Sequence, residues 1–304
     1  MKINHITIDR IGLASFRYHV ATPAKELLKM GHEVFVSDFP KDGCEAYVFR
    51  KHLRVEEIDL IKLAKHRNPS SKTYFIVCDY HLDNRLRDHY LAMIYNADRL
   101  VVCTDAMRKV LLEETGKDST VIKDPWGVEY EKVEPDFKNK KSYSLLWFGS
   151  RTNIYGIKSS LPYIGDNKLV MLTDQGYEKD REIETPNISF RYATNMPVAL
   201  KEEMTKADIV VIPQDHTDKR RNVKSHNRLV DSIRMGKFVI ASPIDAYLEL
   251  KDYCFIGSIK DGLEWLKEQP EDRINDMIRS GQRYIETEFS PQKIGKKWHD
   301  LFVG

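Results

Sequence analysis

The sequence predicts an α/β protein made of two Rossmann-like halves, and three observations carry that prediction. Short β-rich apolar runs alternate with stretches of helical spacing along all 304 residues, the pattern of parallel sheets joined by crossover helices. The alternation breaks between Asp124 and Lys141, where Pro125, Gly127, Pro135 and the cluster Lys138-Asn139-Lys140-Lys141 read as a linker, and then starts again. At roughly 100–200 residues per domain, the length suits two domains. The expected division is an N-terminal Rossmann-like domain over 1–138 and a C-terminal one over 142–286. A last helix over 287–304 is free to pack on the N-terminal domain.

The first half opens with an alternating run, Ile3–Ile8, and a helical stretch, Thr22–Met30. Gly31 then stops the helix ahead of the β-rich Glu33-Val34-Phe35-Val36-Ser37, as glycine does where a chain must turn left-handed. Strands follow at Ala46–Phe49, Thr73–Cys78, Leu100–Cys103 and Val121-Ile122, with helices at Val55–Lys65, Leu86–Ala97 and Ala106–Glu114. The second half has strands at Ser144–Phe148, Leu169–Leu172, Ile188–Tyr192, Ile209–Ile212 and Phe238–Ala241. Its helices are Ile157–Tyr163, Pro197–Lys206, Ser225–Met235 and Lys260–Glu268. Two helices end the chain, Pro270–Glu286 and Pro291–Phe302. The latter starts on Ser290-Pro291, an N-cap followed by proline at the first helical position.

Composition excludes several classes. With 41% hydrophobic and 31% charged residues the chain can fill real cores, so wholesale disorder is excluded. No window approaches the ~20 consecutive apolar residues of a membrane span. The balance of 48 Lys+Arg against 46 Asp+Glu, a net charge of +2, argues against a protein that coats polyanions but leaves room for a local basic site. Cys44, Cys78, Cys103 and Cys254 are scattered, which suits small buried hydrophobes rather than a zinc or disulfide framework, so no metal is expected. The N-terminus lacks the apolar region of a signal peptide, and a cytoplasmic, reducing setting is the expectation.

Open α/β sheets bind ligands beyond the carboxyl ends of their strands, and five segments lie there. Lys224-Ser225-His226-Asn227-Arg228 opens a helix after Ile209–Ile212. The free N–H groups of such a helix start, with the Lys224 charge and the Ser225 and Asn227 donors, suit a phosphate. Asp231 on the same helix can accept from a ribose. Gly149-Ser150-Arg151-Thr152-Asn153 follows Ser144–Phe148, with a glycine for close backbone approach and Arg151 for bidentate charge neutralisation. Asp79-Tyr80-His81-Leu82-Asp83 follows a strand, and its two carboxylates and histidine suit acid–base work or sugar hydroxyls; Asp83 also suits a helix cap. Ser15-Phe16-Arg17-Tyr18-His19 precedes the first helix. Gly12 alone cannot form a G-x-G-x-x-G fingerprint there, so a dinucleotide site in the first half is not expected. His216-Thr217-Asp218-Lys219-Arg220-Arg221-Asn222 is a basic loop suited to a lid or a phosphate contact.

Three stretches of the chain resemble the two-domain GT-B glycosyltransferases, on the retaining, family-four-like side. They are Ala14-Ser15-Phe16-Arg17-Tyr18 with Pro23-Ala24, Leu27 and Gly31-His32-Glu33-Val34; Ala97-Asp98-Arg99-Leu100-Val101-Val102-Cys103-Thr104; and Ala207-Asp208-Ile209-Val210-Val211-Ile212-Pro213 with Lys224-Ser225, Asn227-Arg228, Asp231 and Gly236. The C-terminal Phe289-Ser290 and Trp298 are similar as well. The resemblance implies an acceptor-side first domain, a nucleotide-sugar-binding second domain, a cleft between them and metal-independent hexosyl or pentosyl transfer. It further implies a UDP- or GDP-type sugar as co-substrate, with no other cofactor. Lys224 and Arg151 would stabilise the leaving diphosphate. Gly149, Ser150, Asn153, Ser225, Asn227, Arg228 and Asp231 would bind the donor. Asp79 and His81 would lie near the transferred sugar, with Arg17, His19 and Asp83 on the acceptor side.

Relatives often carry two glutamates spaced E-x7-E, whereas here the positions hold Val223 and Asp231. The implied acceptor is a glycan or lipid-linked intermediate. Hydroxymethylated DNA, as in viral base-modifying enzymes, and a non-catalytic nucleotide-sugar-binding relative are the alternatives, with a sugar-nucleotide epimerase a further one.

Overall fold

The computed structural model describes residues 1–8, 13–50, 57–176, 180 and 182–304, with 57 described by its backbone only. Gly12 and the start of the helix expected from Val55 lie outside the described residues. The chain divides into two compact units. Unit 1 holds Met1–Trp126, Val223–Ser225 and Phe289–Gly304; unit 2 holds Gly127–Asn222 and His226–Glu288.

Unit 1 runs β1 (Lys2–Ile6), α1 (Ala14–Phe16), a π-helical turn (Arg17–Ala21), α2 (Thr22–Lys29), β2 (Glu33–Ser37), β3 (Ala46–Arg50) and α3 (Glu57–Arg67). It continues with β4 (Lys72–Val77), α4 (Arg87–Asn96), β5 (Arg99–Val102), α5 (Asp105–Thr115) and β6 (Thr120–Val121). Its sheet has the order β2-β1-β3-β4-β5-β6, all parallel. Because side chains alternate along a strand, the apolar runs split between two cores. Tyr47, Phe49, Phe75, Val77, Leu100 and Val102 face a core shared with Ile61, Tyr90, Met93, Met107 and Leu111 of α3, α4 and α5. Their neighbours Ala46, Val48, Tyr74, Ile76 and Val101 face a second core that includes Leu27 of α2.

Unit 2 runs β7 (Ser144–Phe148), α6 (Tyr155–Lys158), β8 (Lys168–Thr173), β9 (Ile188–Tyr192), α7 (Met196–Lys206), β10 (Ile209–Ile212), α8 (Lys219–Asn222) and α9 (Asn227–Arg234). It ends with β11 (Phe238–Ala241), β12 (Phe255–Ile256), α10 (Ile259–Leu266) and α11 (Glu271–Glu288). The parallel order is β12-β11-β10-β7-β8-β9. The chain then returns to unit 1 as α12 (Pro291–Val303), whose Ile294, Trp298 and Phe302 complete the core beside Leu27. Gly295 sits where α12 meets α2: a Cβ there would lie 2.4 Å from Glu26 Cβ. Among the described residues, no helix is long and apolar enough to cross a membrane.

The two glycine stops behave as their sequence context predicts. Gly31 has φ +84°, after the last turn of α2. Gly236 has φ +75°, and a Cβ there would also lie 2.7 Å from the Val133 carbonyl. Two elements differ from expectation. The helix expected over Ile157–Tyr163 is instead α6 and a separate 3-10 turn at Leu161–Tyr163; Pro162, lacking an N–H, cannot continue an α-helix. β12 was not anticipated, because two residues are too few to show a period.

His5, within β1, is 1% exposed, and among the described residues neither ring nitrogen has a hydrogen-bond partner. Burial, reinforced by the Arg50 charge, lowers its pKa to about 4. The folded state therefore resists a proton that the unfolded chain binds below pH ~6.5. Stability is expected to be full above that pH and to fall by about 3 kcal/mol as the pH drops toward 4. His5→Leu should remove that part of the acid limb. Urea denaturation of both proteins between pH 4 and 7 checks it, and equal slopes would refute the assignment.

Candidate functional site

Ligands of open α/β sheets gather where the winding reverses. In unit 2, β8 and β9 extend from one side of β7 and β10 lies on the other, so the reversal falls between β7 and β10. The loops leaving these strands carry Gly149–Asn153 and the basic stretch Lys219–Arg221, followed by α9.

The structure brings these segments together. Arg228, in the first turn of α9, donates from Nη1 to the Phe148 carbonyl at 3.3 Å. Gly149 lies beside the same guanidinium: a Cβ there would be 3.5 Å from Nη1, an ordinary contact distance. Arg221 donates to the Asn153 side chain and, at 3.2 Å, to the Thr152 carbonyl. Burial lowers the Arg221 pKa, Asp218 opposes this, and the charges of Arg228 and Arg220 lower it further. Such crowding of cations is relieved by an anion. Among the described residues no side-chain cap hydrogen bond is made at α9, whose N-cap residue is His226, and the first N–H groups of such a helix carry a partial positive charge.

Acidic residues order this loop. The Arg151 backbone N–H donates to Asp174 Oδ1 at 2.9 Å, and Ser150 Oγ donates to Asp174 Oδ2 at 3.2 Å. The Arg151 guanidinium pairs with buried Asp180, which also accepts from the Tyr192 hydroxyl at 3.0 Å. The guanidinium of Arg151, expected to stabilise a leaving diphosphate, is thus engaged by Asp180. His226 is buried and lies 3.2 Å from Glu249, which accepts from Tyr284 at 2.6 Å. This chain anchors the start of α9.

Other candidates are placed differently from the sequence expectation. The helix expected from Ser225 starts two residues later, at Asn227. Val223–Ser225 belongs to unit 1, where Thr104 Oγ1 donates to the Val223 carbonyl at 3.1 Å and Ser225 Oγ donates to Asp124. Lys224 and Ser225 therefore precede the helix instead of forming its first turn. Asp231, expected to meet a ribose, is 2% exposed and accepts from the Gly127 N–H at 2.8 Å. A buried carboxylate needs such a donor, and this one ties the start of unit 2 to α9.

In unit 1, Asp79, His81 and Asp83 lie in the turn between β4 and α4. His81 Nδ1 is 3.1 Å from the Asn84 amide, and its ring lies 4.7 Å from that of Tyr90. Asp83 is not the N-cap of α4, which is Leu86; Asn84 Oδ1 accepts from the Leu86 N–H at 2.9 Å in the turn before the helix. Arg17 begins the π-helical turn, its guanidinium 5.7 Å from the Tyr18 ring centre. His19, expected at a loop end, is 7% exposed and lies 2.7 Å from Asp124. Burial alone would lower the His19 pKa, but the Asp124 carboxylate and Cys103 raise it well above the ordinary value. Burial alone would likewise raise the Asp124 pKa, and His19 and Ser225 bring it below the usual carboxylate range.

Reading the sequence missed Asp124, Asp174, Asp180 and the role of His226. Asp174 carried a usable signal, a polar residue directly after β8. Asp124 carried none, because it sits in a stretch that reads as linker.

No family model matches the sequence, and no curated protein is similar to it by sequence. Solved structures are similar in fold. AviGT4, a glycosyltransferase involved in avilamycin A biosynthesis, is 12% identical, with 100% of this chain and 97% of that chain covered at a TM-score of 0.66. Anabaena Alr3699/HepE, determined in complex with UDP-glucose, is 10% identical over 100% and 99% of the two chains, with a TM-score of 0.71. The glycosyltransferase SnogD from Streptomyces nogalater is 10% identical over 99% of both chains, with a TM-score of 0.52. Together with the two parallel six-stranded sheets, these matches give the chain the α/β fold of the GT-B glycosyltransferases.

Proposed function

We propose that the protein is a glycosyltransferase that moves a sugar from a nucleoside-diphosphate sugar to an acceptor hydroxyl. The observation that carries this reading is the cationic site of unit 2, where Arg228 reaches the end of β7 beside Gly149, and Arg221 is held to Asn153. A diphosphate is the ligand whose charge and size suit two guanidiniums and an uncapped helix start. The binding of UDP-glucose by HepE, which shares the fold, supports a donor of the UDP or GDP class.

In this reading the acceptor oxygen attacks the anomeric carbon, the carbon–oxygen bond to the diphosphate breaks, and the diphosphate leaves with the electron pair. Arg228, Arg221 and the first N–H groups of α9 stabilise the charge that develops on it, with Lys224 adding a further cation. Gly149, Ser150 and Asn153 line the donor, and Asp174 holds their loop. Asp79 and His81 are assigned to the sugar and acceptor chemistry, with His81 suited to take the hydroxyl proton. The near-zero net charge favours a glycan or lipid-linked acceptor over DNA.

UDP or GDP at 100 times its Kd is expected to stabilise unit 2 by about 2.7 kcal/mol, which a thermal shift reads as several degrees. Arg228→Ala should remove most of the shift and Lys224→Ala a smaller part of it. A donor-hydrolysis panel then identifies the diphosphate released. If no nucleotide or nucleotide sugar stabilises the wild-type protein, the proposal fails.

A further inference from the structure

We propose that unit 1 contains a site for a zinc-class divalent cation, formed by His19, Cys103 and Asp124. Three separate segments deliver these residues: the π-helical turn, the residue after β5, and the stretch after β6. All three side chains are buried, and one ligand-type atom from each lies within 4.8 Å of the others. His19 Nε2 is 2.7 Å from Asp124 Oδ1 and 3.4 Å from Cys103 Sγ. The same imidazole nitrogen thus faces both a carboxylate oxygen and a sulfur, which is the arrangement of ligands around a shared centre.

Zinc bonds of about 2.0 Å to nitrogen or oxygen and about 2.3 Å to sulfur put tetrahedral ligands roughly 3.3–3.6 Å apart. The His19–Cys103 separation already matches, and the His19–Asp124 pair has to open by only ~0.5 Å. Charge also matches: a thiolate, a carboxylate and a neutral imidazole cancel a divalent cation, so the buried site is neutral overall. The donor set of nitrogen, sulfur and oxygen selects zinc, or cobalt in its place, over the all-oxygen ions magnesium and calcium.

One neighbouring group is of the kind that orients a metal ligand. Ser225 Oγ donates to the other Asp124 oxygen, as outer hydrogen bonds orient ligating carboxylates. The π-helical turn sets His19 off the regular helix, and such bulges occur often at functional positions. The ion joins the first helical turns of unit 1 to the ends of β5 and β6, and a water takes the fourth tetrahedral position that the three residues leave open.

The protein purified without chelator is expected to hold about one zinc per chain by elemental analysis. After chelator treatment it should melt several degrees lower, and added zinc should restore it. Cobalt titrated into the metal-free protein should produce a thiolate-to-cobalt charge-transfer absorption. That absorption should survive Cys44→Ser and vanish in Cys103→Ser, while Asp124→Asn should weaken zinc binding at least tenfold. The wild-type cobalt spectrum decides the matter even if a variant fails to fold. Absence of bound metal together with no cobbalt–sulfur absorption, or an absorption that persists in a folded Cys103→Ser protein, would overturn the proposal and leave a metal-free His19–Asp124 pair with a neutral thiol.

Discussion

Arg228→Ala is expected to lower kcat/KM for the proposed sugar transfer by roughly 10²–10³-fold, the usual cost of deleting a preorganised group that stabilises a leaving anion. The residue sits in the first turn of α9 and reaches the Phe148 carbonyl at 3.3 Å, beside Gly149. Its loss removes a full charge from the point where the winding of the sheet reverses. Arg228→Lys should recover only part of the activity, because an ammonium supplies a point charge without the planar fork. Steady-state kinetics with the donor identified by the hydrolysis panel make the measurement, and thermal melting shows that the fold is intact. A change smaller than about threefold in a folded Arg228→Ala protein would place the diphosphate elsewhere.

Trp298→Ala is expected to destabilise unit 1 by about 3–5 kcal/mol. The indole is 3% exposed, and its ring centre lies 5.5 Å from that of Phe302, which in turn packs edge-on against Tyr74 at 5.0 Å. Through these residues the last helix covers the face of the sheet built from Ala46, Val48, Tyr74, Ile76 and Val101. The close approach at Gly295 leaves no room for the helix to settle into the gap. By calorimetry the unit 1 transition should fall by on the order of 10 °C, while the unit 2 transition stays in place. Equal shifts in both transitions, or none, would contradict the assignment of α12 to unit 1.

Much of the fold was legible because it rests on short-range rules. The runs at Tyr74–Val77 and Ile209–Ile212 are apolar on both faces, as strands covered by helices on both sides must be. Gly31 and Gly236 announce helix ends because few other residues accept their positive φ. Ser290 was readable as a cap, and its Oγ does accept from the Lys293 N–H at 3.2 Å. The candidate site was legible in part. Gly149, Arg151, Asn227 and Arg228 were recognisable as loop-end and helix-start residues, but the partners that hold them were not.

Those partners are far apart in the chain. Asp231 reads as an exposed acid on a helix, yet it accepts from Gly127, 104 residues earlier. His19 reads as a loop residue, yet it meets Asp124, 105 residues later, and Cys103, 84 residues later. Cys103 itself reads as a small apolar filler, and burial does push its thiol up to about 12. Its meaning changes once histidine and aspartate stand beside it. The sequence by itself determined the alternation of strands and helices, their stops and the two-unit plan, because periodicity and backbone preference act between near neighbours. Only the tertiary structure decided which buried charge meets which donor, since that depends on strand order and on segments returning to a unit, and neither leaves a local pattern.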